Sequence, residues 1–301
     1  MRLKFGVTKL KLLYSKIVTA RQVRQIRREY GISVMRPEDT VAYIKEHKCS
    51  VTRYGDGEFE LMLGYGNPHF QEPSEGLAAG LLRVFENPPP QLLICVPYFI
   101  VSTKETSKDG GRFWEYWAQI NQEKVVKAIR QRVGRDYLFG DSYISRPFTA
   151  YKSRKNADRL FPLLKELWDG QDVLFVEGEG TRLGVGNDLF SNTKSIKRIL
   201  APAENAFDSY QKILDTVRAH WNGELVILAV GPTATVLAHD LSQEGIQTLD
   251  LGHIDIQYEW YLSGEMYQPV TNKYVNEVTG ADHFGPCQDQ EYLSQIIAKV
   301  Q

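Results

Sequence analysis

The chain has 301 residues, 43% hydrophobic and 24% charged, which places it among globular proteins of enzyme size and outside the disordered range. Its formal net charge of -1 gives no global reason to bind nucleic acid. No apolar run approaches the ~20 residues that cross a bilayer.

The charge is uneven along the chain. Residues 1–30 hold nine Lys or Arg against one acid, Glu29, with Leu3, Leu10, Leu13, Ile17, Val18 and Ile26 at partly helical spacing. This segment, 1–34, reads as a basic amphipathic helix and a candidate contact for anionic lipid. The plainer alternative is a solvated helix packed on the main domain, 35–301. The N-terminus also lacks the apolar core of a signal peptide, which points to the cytoplasm. Cys49, Cys95 and Cys287 agree with that: they are isolated, without zinc spacing, and fit reduced thiols. Cys49 and Cys95 are expected to be buried and inert.

"CSVTRYG" (49–55) predicts a strand, and "DGEFELMLG" after it a helix with acids in its first turn. "ENPPPQ" (86–91) marks a connection, "QLLICVPYF" (91–99) a buried strand, and "SKDGGRF" (107–113) a loop. Helices are predicted over 123–133 and 156–170. The second half alternates more regularly: strands at 172–178, 195–202, 224–231 and within "IQTLDLGHID", with helices over 208–221 and from Pro232 to Gly245. This is the pattern of an α/β protein with a Rossmann-like, mostly parallel sheet flanked by helices.

Ligands of such sheets sit beyond the carboxyl ends of the strands. "VEGEGTRLGVGNDLF" (176–190) places Glu177, Glu179, Arg182, Asn187 and Asp188 around a glycine-rich loop there. Its glycines lack G-x-G-x-x-G spacing, and no Walker lysine is present, so nicotinamide and P-loop chemistry lose ground. Glycine lets backbone approach a diphosphate closely, with Glu177 or Glu179 on sugar hydroxyls and Arg182 on phosphate. Asn187 and Asp188 would order the loop or a metal's water shell; the alternative is a loop stitched by its own Asn and Asp. "GPTAT" (231–235) opens a helix where Gly231, Thr233 and Thr235 could hold phosphate. "RYGDGEFE" offers Arg53 and Gly55 beside a D-x-E pair, Asp56 and Glu58, of the kind that holds Mg²⁺ or Mn²⁺ against a diphosphate; Asp188 is added as a third metal candidate. "GHIDIQYEW" supplies His253, Asp255 and Glu259 as candidate bases. In an extended segment His253 and Asp255 would share one face.

These stretches, with "SRPF" (145–148), "SIKRILAPAENAF" and "KYVNEV" (273–278), together resemble the bacterial DUF1792, or GT-D-type, glycosyltransferases over about residues 35–280. The resemblance implies a Rossmann-like glycosyltransferase fold, a UDP-glucose donor, and glycans on bacterial serine-rich adhesins as products. It also maps the family's metal-associated D-x-E motif onto Asp56 and Glu58. Tyr54 and Gln257 stand where the family pattern has Phe and Glu.

The expected function is therefore a metal-assisted transferase moving a hexose from a UDP-sugar to a hydroxyl of a surface glycan, carried on protein or lipid. Association with itself or with other glycosyltransferases is expected, and nucleic acid is not. Two rivals remain: a non-catalytic nucleotide-sugar-binding subunit, and a metal-dependent phosphohydrolase.

Overall fold

Apolar runs without alternation form the middle of one sheet. β3 (Leu92–Val96) and β7 (Leu225–Ala229) are buried at every residue, and β5 (Asp172–Gly178) at all but its first. Helices on both faces account for this. The computed structural model describes residues 18, 21, 25, 28–66, 70–102, 104–281 and 283–301, so most of the predicted N-terminal helix lies outside the described residues.

The remaining strands are β1 (Ser33–Val34), β2 (Ser50–Arg53), β4 (Leu138–Asp141), β6 (Ser195–Ala201), β8 (Thr248–Asp250) and β9 (Ile296–Lys299). All pair in parallel, in the order β1-β4-β3-β2-β8-β7-β5-β6-β9. The side chains of β5 divide as the period of a strand requires. Val173 and Phe175 join the core on one face, with Val51 and Ile227; Leu174 and Val176 join the other, with Val226 and Leu228. Cys49 and Cys95 are buried free thiols, as expected.

Helices α1 (Pro37–His47), α2 (Asp56–Met62), α3 (Glu75–Arg83), α4 (Lys108–Trp117), α5 (Glu123–Arg130), α6 (Lys155–Lys165), α7 (Tyr210–His220), α8 (Pro232–Gln243), α9 (Ile254–Ser263) and α10 (Gln290–Gln295) complete the fold. The strand order reverses between β2 and β8. That is where an open parallel sheet presents a crevice at its carboxyl edge.

Two sequence expectations fail here for local reasons. Residues 107–113 are not a loop: Ser107 accepts a hydrogen bond from the Gly110 N–H and starts α4, whose Trp114 and Trp117 are buried. Nor is 253–255 extended. Gly252 turns the chain at φ 38°, and α9 begins at Ile254, so His253 and Asp255 leave in different directions.

Candidate active site

The crevice at the β2–β8 junction is a cleft of about 260 Å³. Its walls come from the ends of β2, β4, β5, β7 and β8 and from Tyr274, Asn276 and Glu277. Of the residues expected from sequence, Arg53, Gly55, Asp56, Glu58, Gly231 and His253 line it.

Arg53 builds the floor. Its Nη2 pairs with Asp250 Oδ1 at 2.8 Å, its Nε donates to the Asp250 carbonyl at 2.6 Å, and its Nη1 donates to Ser145 Oγ at 2.5 Å. A Cβ at Gly252 would collide with this guanidinium, so the close turn there requires glycine.

Gly55 and Glu58 form a capping arrangement at the start of α2, with the Gly55 N–H donating to Glu58 Oε2 at 2.8 Å. Burial raises the Glu58 carboxyl above its ordinary pKa, while Arg53 opposes the shift. Asp56 stands one helical position after Gly55. Its carboxyl is also raised by burial, against the pull of Arg146.

The other wall carries an arrangement that sequence reasoning missed. Arg146 Nη1 pairs with Glu277 Oε1 at 2.6 Å, and His253 Nε2 lies 3.0 Å from the same oxygen. Arg146 Nη2 is 3.2 Å from His253 Nδ1. The same Nη2 is 3.3 Å from His253 Nε2, so the guanidinium lies against both ring nitrogens, and the contacts to Glu277 Oε1 are charge proximities without hydrogen-bond geometry. Burial depresses the His253 pKa to about 4, with Arg146 adding to the effect and Glu277 opposing it. Glu277 is itself buried, which raises its pKa, yet Arg146 and His253 outweigh burial and hold it below the usual range. At neutral pH the cluster is Arg⁺, neutral His and Glu⁻.

The glycine-rich loop turns out differently. Glu177 is buried, with Oε1 at 2.7 Å from Arg198 Nη1 and Oε2 accepting the Leu183 N–H at 2.7 Å. Glu179 pairs with Lys299 at the surface. Arg182 donates to the carbonyls of Asn272 and Gly285 and lies over the Phe284 ring. Asp188 pairs with Lys165 and accepts from Tyr258. None of the four lines the cleft; the loop contributes only Gly178 and Thr181.

Asn187 donates to Asp255 Oδ1 at 2.8 Å and Glu259 Oε1 at 2.7 Å, and both carboxylates pair with Lys273, at 2.6 and 2.9 Å. Asp255 also accepts the Gly184 N–H. Asp255 and Glu259 therefore brace the loop and do not line the cleft. Thr233 and Thr235 are buried too, and Thr235 Oγ1 donates to the Arg53 carbonyl at 2.9 Å. Only the backbone at Gly231, with φ 57° and Phe70 close by, faces the cleft from the start of α8.

No group of three His, Cys, Asp or Glu among the described residues could hold a metal ion. Asp56 and Glu58 are cleft-lining carboxylates of the type a hard cation takes alongside phosphate and water, although Glu58 Oε2 already accepts the Gly55 N–H. Asp188 does not join them.

The missed residues had weak signals. Arg146 follows β4, whose "LFGD" is short and interrupted by glycine, and Glu277 belongs to a stretch without regular structure.

Comparison with known proteins agrees with this fold. The family described as glycosyltransferase GT-D fold matches residues 51–278. The chain is 35% identical over 274 residues to a probable glycosyl transferase of Streptococcus gordonii, covering 90% of this chain and 39% of that protein. It is 31% identical over 271 residues to glycosyltransferase GlyD of Streptococcus pneumoniae, covering 89% and 33%. It thus spans well under half the length of these relatives. A solved structure of the domain called DUF1792, described as having a distinct glycosyltransferase fold, superposes with a TM-score of 0.84 at 34% identity, covering 93% of this chain and all of that one. A glycosyltransferase (DUF1792) from Streptococcus sanguinis gives 0.81 at 34% identity, covering 90% and 100%. From its sheet order to the residues matched, the chain belongs to the GT-D glycosyltransferase family.

Proposed function

We infer that the cleft binds a nucleotide sugar, UDP-glucose being the favoured donor, and transfers its hexose to a hydroxyl of a surface-glycan acceptor. The observation that carries this reading is the convergence of Asp56, Arg146, His253 and Glu277, from three strand ends and the C-terminal segment, around one cleft.

Arg146 is the cation placed to meet a diphosphate, and the backbone opening α8 is suited to the same anion. A phosphate that recruits Arg146 draws its Nη2 away from His253 Nδ1 and leaves that nitrogen's lone pair free. The donor's negative charge also raises the low pKa of the imidazole toward a useful range. Glu277, with Oε1 3.0 Å from Nε2, stabilises the imidazolium by its charge once the acceptor proton arrives on the ring. The acceptor oxygen bonds to the anomeric carbon as the bond to the diphosphate breaks. Asp56 and Glu58 would hold a divalent cation, which when bound neutralises charge on the departing diphosphate.

Of the expected bases His253, Asp255 and Glu259, this reading keeps His253 and sets Glu277 beside it. The test is product analysis with UDP-glucose in the presence and absence of glycan acceptor. Acceptor-dependent UDP release supports transfer. Equal release in water indicates a phosphohydrolase or simple donor hydrolysis, and UDP binding without release indicates a binding subunit.

A further inference from the structure

Arg182 does not line the cleft, yet its surroundings give it a task there. The residue is 5% exposed and holds left-handed backbone, at φ 52°. That conformation is costly for a residue with a side chain and persists where its contacts enforce it. Nη1 donates to the Asn272 carbonyl and Nη2 to the Gly285 carbonyl. Asn272 is itself left-handed, at φ 59°. One planar guanidinium, with its donors in a fixed fork, thus joins two distant points of the chain.

The chain between those two carbonyls carries Tyr274, Asn276 and Glu277 into the cleft. Its described residues lie in no helix or strand, so individual hydrogen bonds and packing set its path. At the incoming end Lys273 is tied to Asp255 and Glu259 of α9, and the Tyr274 N–H donates to the Gly180 carbonyl at 2.9 Å. Across the loop the Val275 N–H donates to the Ala281 carbonyl at 2.8 Å, and both residues are buried. At the outgoing end the Phe284 ring fills the place a Cβ at Gly180 would take, with its centroid 5.7 Å from the Arg182 guanidinium. This is the build of a compact loop whose ends are clasped together.

We propose that Arg182 is a positioning residue: by clasping both ends of the 272–285 loop it fixes the Glu277 carboxylate against His253. This role rests on the transfer reading, in which Glu277 stabilises the imidazolium. Without the clasp the outgoing end is released, and Glu277 Oε1 leaves its place 3.0 Å from His253 Nε2 and 2.6 Å from Arg146 Nη1. A misplacement of about 1 Å is enough to cost roughly 10²-fold in rate. Arg146 and the backbone opening α8, the groups assigned to the diphosphate, lie outside the loop. The loss therefore falls on kcat rather than on KM for the donor.

The test is a double-mutant cycle on the full chain, reading kcat and KM for UDP release from UDP-glucose with Mn²⁺ and glycan acceptor. Arg182→Ala and Glu277→Gln should each lower kcat about 10²-fold with KM changed by less than about threefold. The double variant should be no slower than Glu277→Gln alone, because the clasp then has no charge left to place. Arg182→Lys keeps the buried cation without the fork; it should recover part of kcat, and it serves the cycle if Arg182→Ala does not fold. Losses that multiply in the double variant would show a general structural role and overturn the proposal. So would wild-type kcat in a folded Arg182→Ala, or in Arg182→Lys where the alanine variant is unfolded, beside an impaired Glu277→Gln. Full speed in Glu277→Gln, or no turnover by the wild type, would instead defeat the transfer reading and take the clasp's role with it.

Discussion

Arg53 at the end of β2 and Asp250 at the end of β8 grip each other across the point where the strand order reverses, directly beneath the cleft. Both are nearly buried, at 13% and 3% side-chain exposure. The pair joins the half of the sheet built from β1–β4 to the half built from β5–β9. Removing one member leaves a buried charge without its partner. Asp250→Ala is therefore expected to cost about 3–5 kcal/mol in urea unfolding. A loss within experimental error would show that the junction is held by apolar packing alone.

The start of α2 separates two roles that sequence alone merges. Glu58 caps the helix, so Glu58→Ala should lower stability by about 1 kcal/mol, while Glu58→Gln should retain the cap. Asp56 takes backbone hydrogen bonds from its own N–H and that of Gly57 and also lines the cleft. Asp56→Asn should leave the melting temperature nearly unchanged and abolish the response of turnover to Mn²⁺. An Asp56→Asn protein still stimulated by Mn²⁺ removes the cation from this pair.

Two buried groups titrate with opposite consequences for stability. Burial raises Asp141 to about 6, despite hydrogen bonds from Tyr151 and the Tyr98 and Tyr143 N–H groups. The folded state binds its proton more tightly than the unfolded chain, so this group's contribution is lost as pH rises from about 4 to 6. His253, lowered to about 4, works the other way. The unfolded chain takes up its proton first, and stability is lost as pH falls from about 6.5 to 4. Each effect is worth about 3 kcal/mol. Across pH 4–6, Asp141→Asn should lose stability on acidification relative to His253→Gln, with the two slopes opposite in sign relative to the wild type. Parallel pH profiles for the two variants would mean that neither group is perturbed as described.

The sheet was legible because its central strands are uninterrupted apolar runs between helices with clear periodicity. β1, β4 and β9 were not, since two to four residues at an edge or containing glycine carry little pattern. Proximity to a strand end pointed to Arg53, Asp56, Glu58 and His253, which line the cleft. The same rule pointed to Glu177, Arg182, Asp255 and Glu259, which do not line it. Spacing cannot reveal that an acid will meet Arg198 or Lys273 from distant parts of the chain. Those partners turn the glycine-rich stretch into a braced wall. Arg146 and Glu277 were missed for the complementary reason: their significance exists only once the fold sets them 2.6 Å apart.

The central claim is that the cleft of Asp56, Arg146, His253 and Glu277 performs the chemistry and the acids of the glycine-rich loop do not. The most direct test is steady-state UDP release from UDP-glucose with acceptor, measured side by side for the wild type, His253→Gln and Glu179→Gln. The account predicts a loss of about 10²–10⁴-fold in kcat for His253→Gln, as for removal of a general base, and wild-type turnover for Glu179→Gln. Full activity in His253→Gln, or collapse in Glu179→Gln with the fold intact, would contradict it.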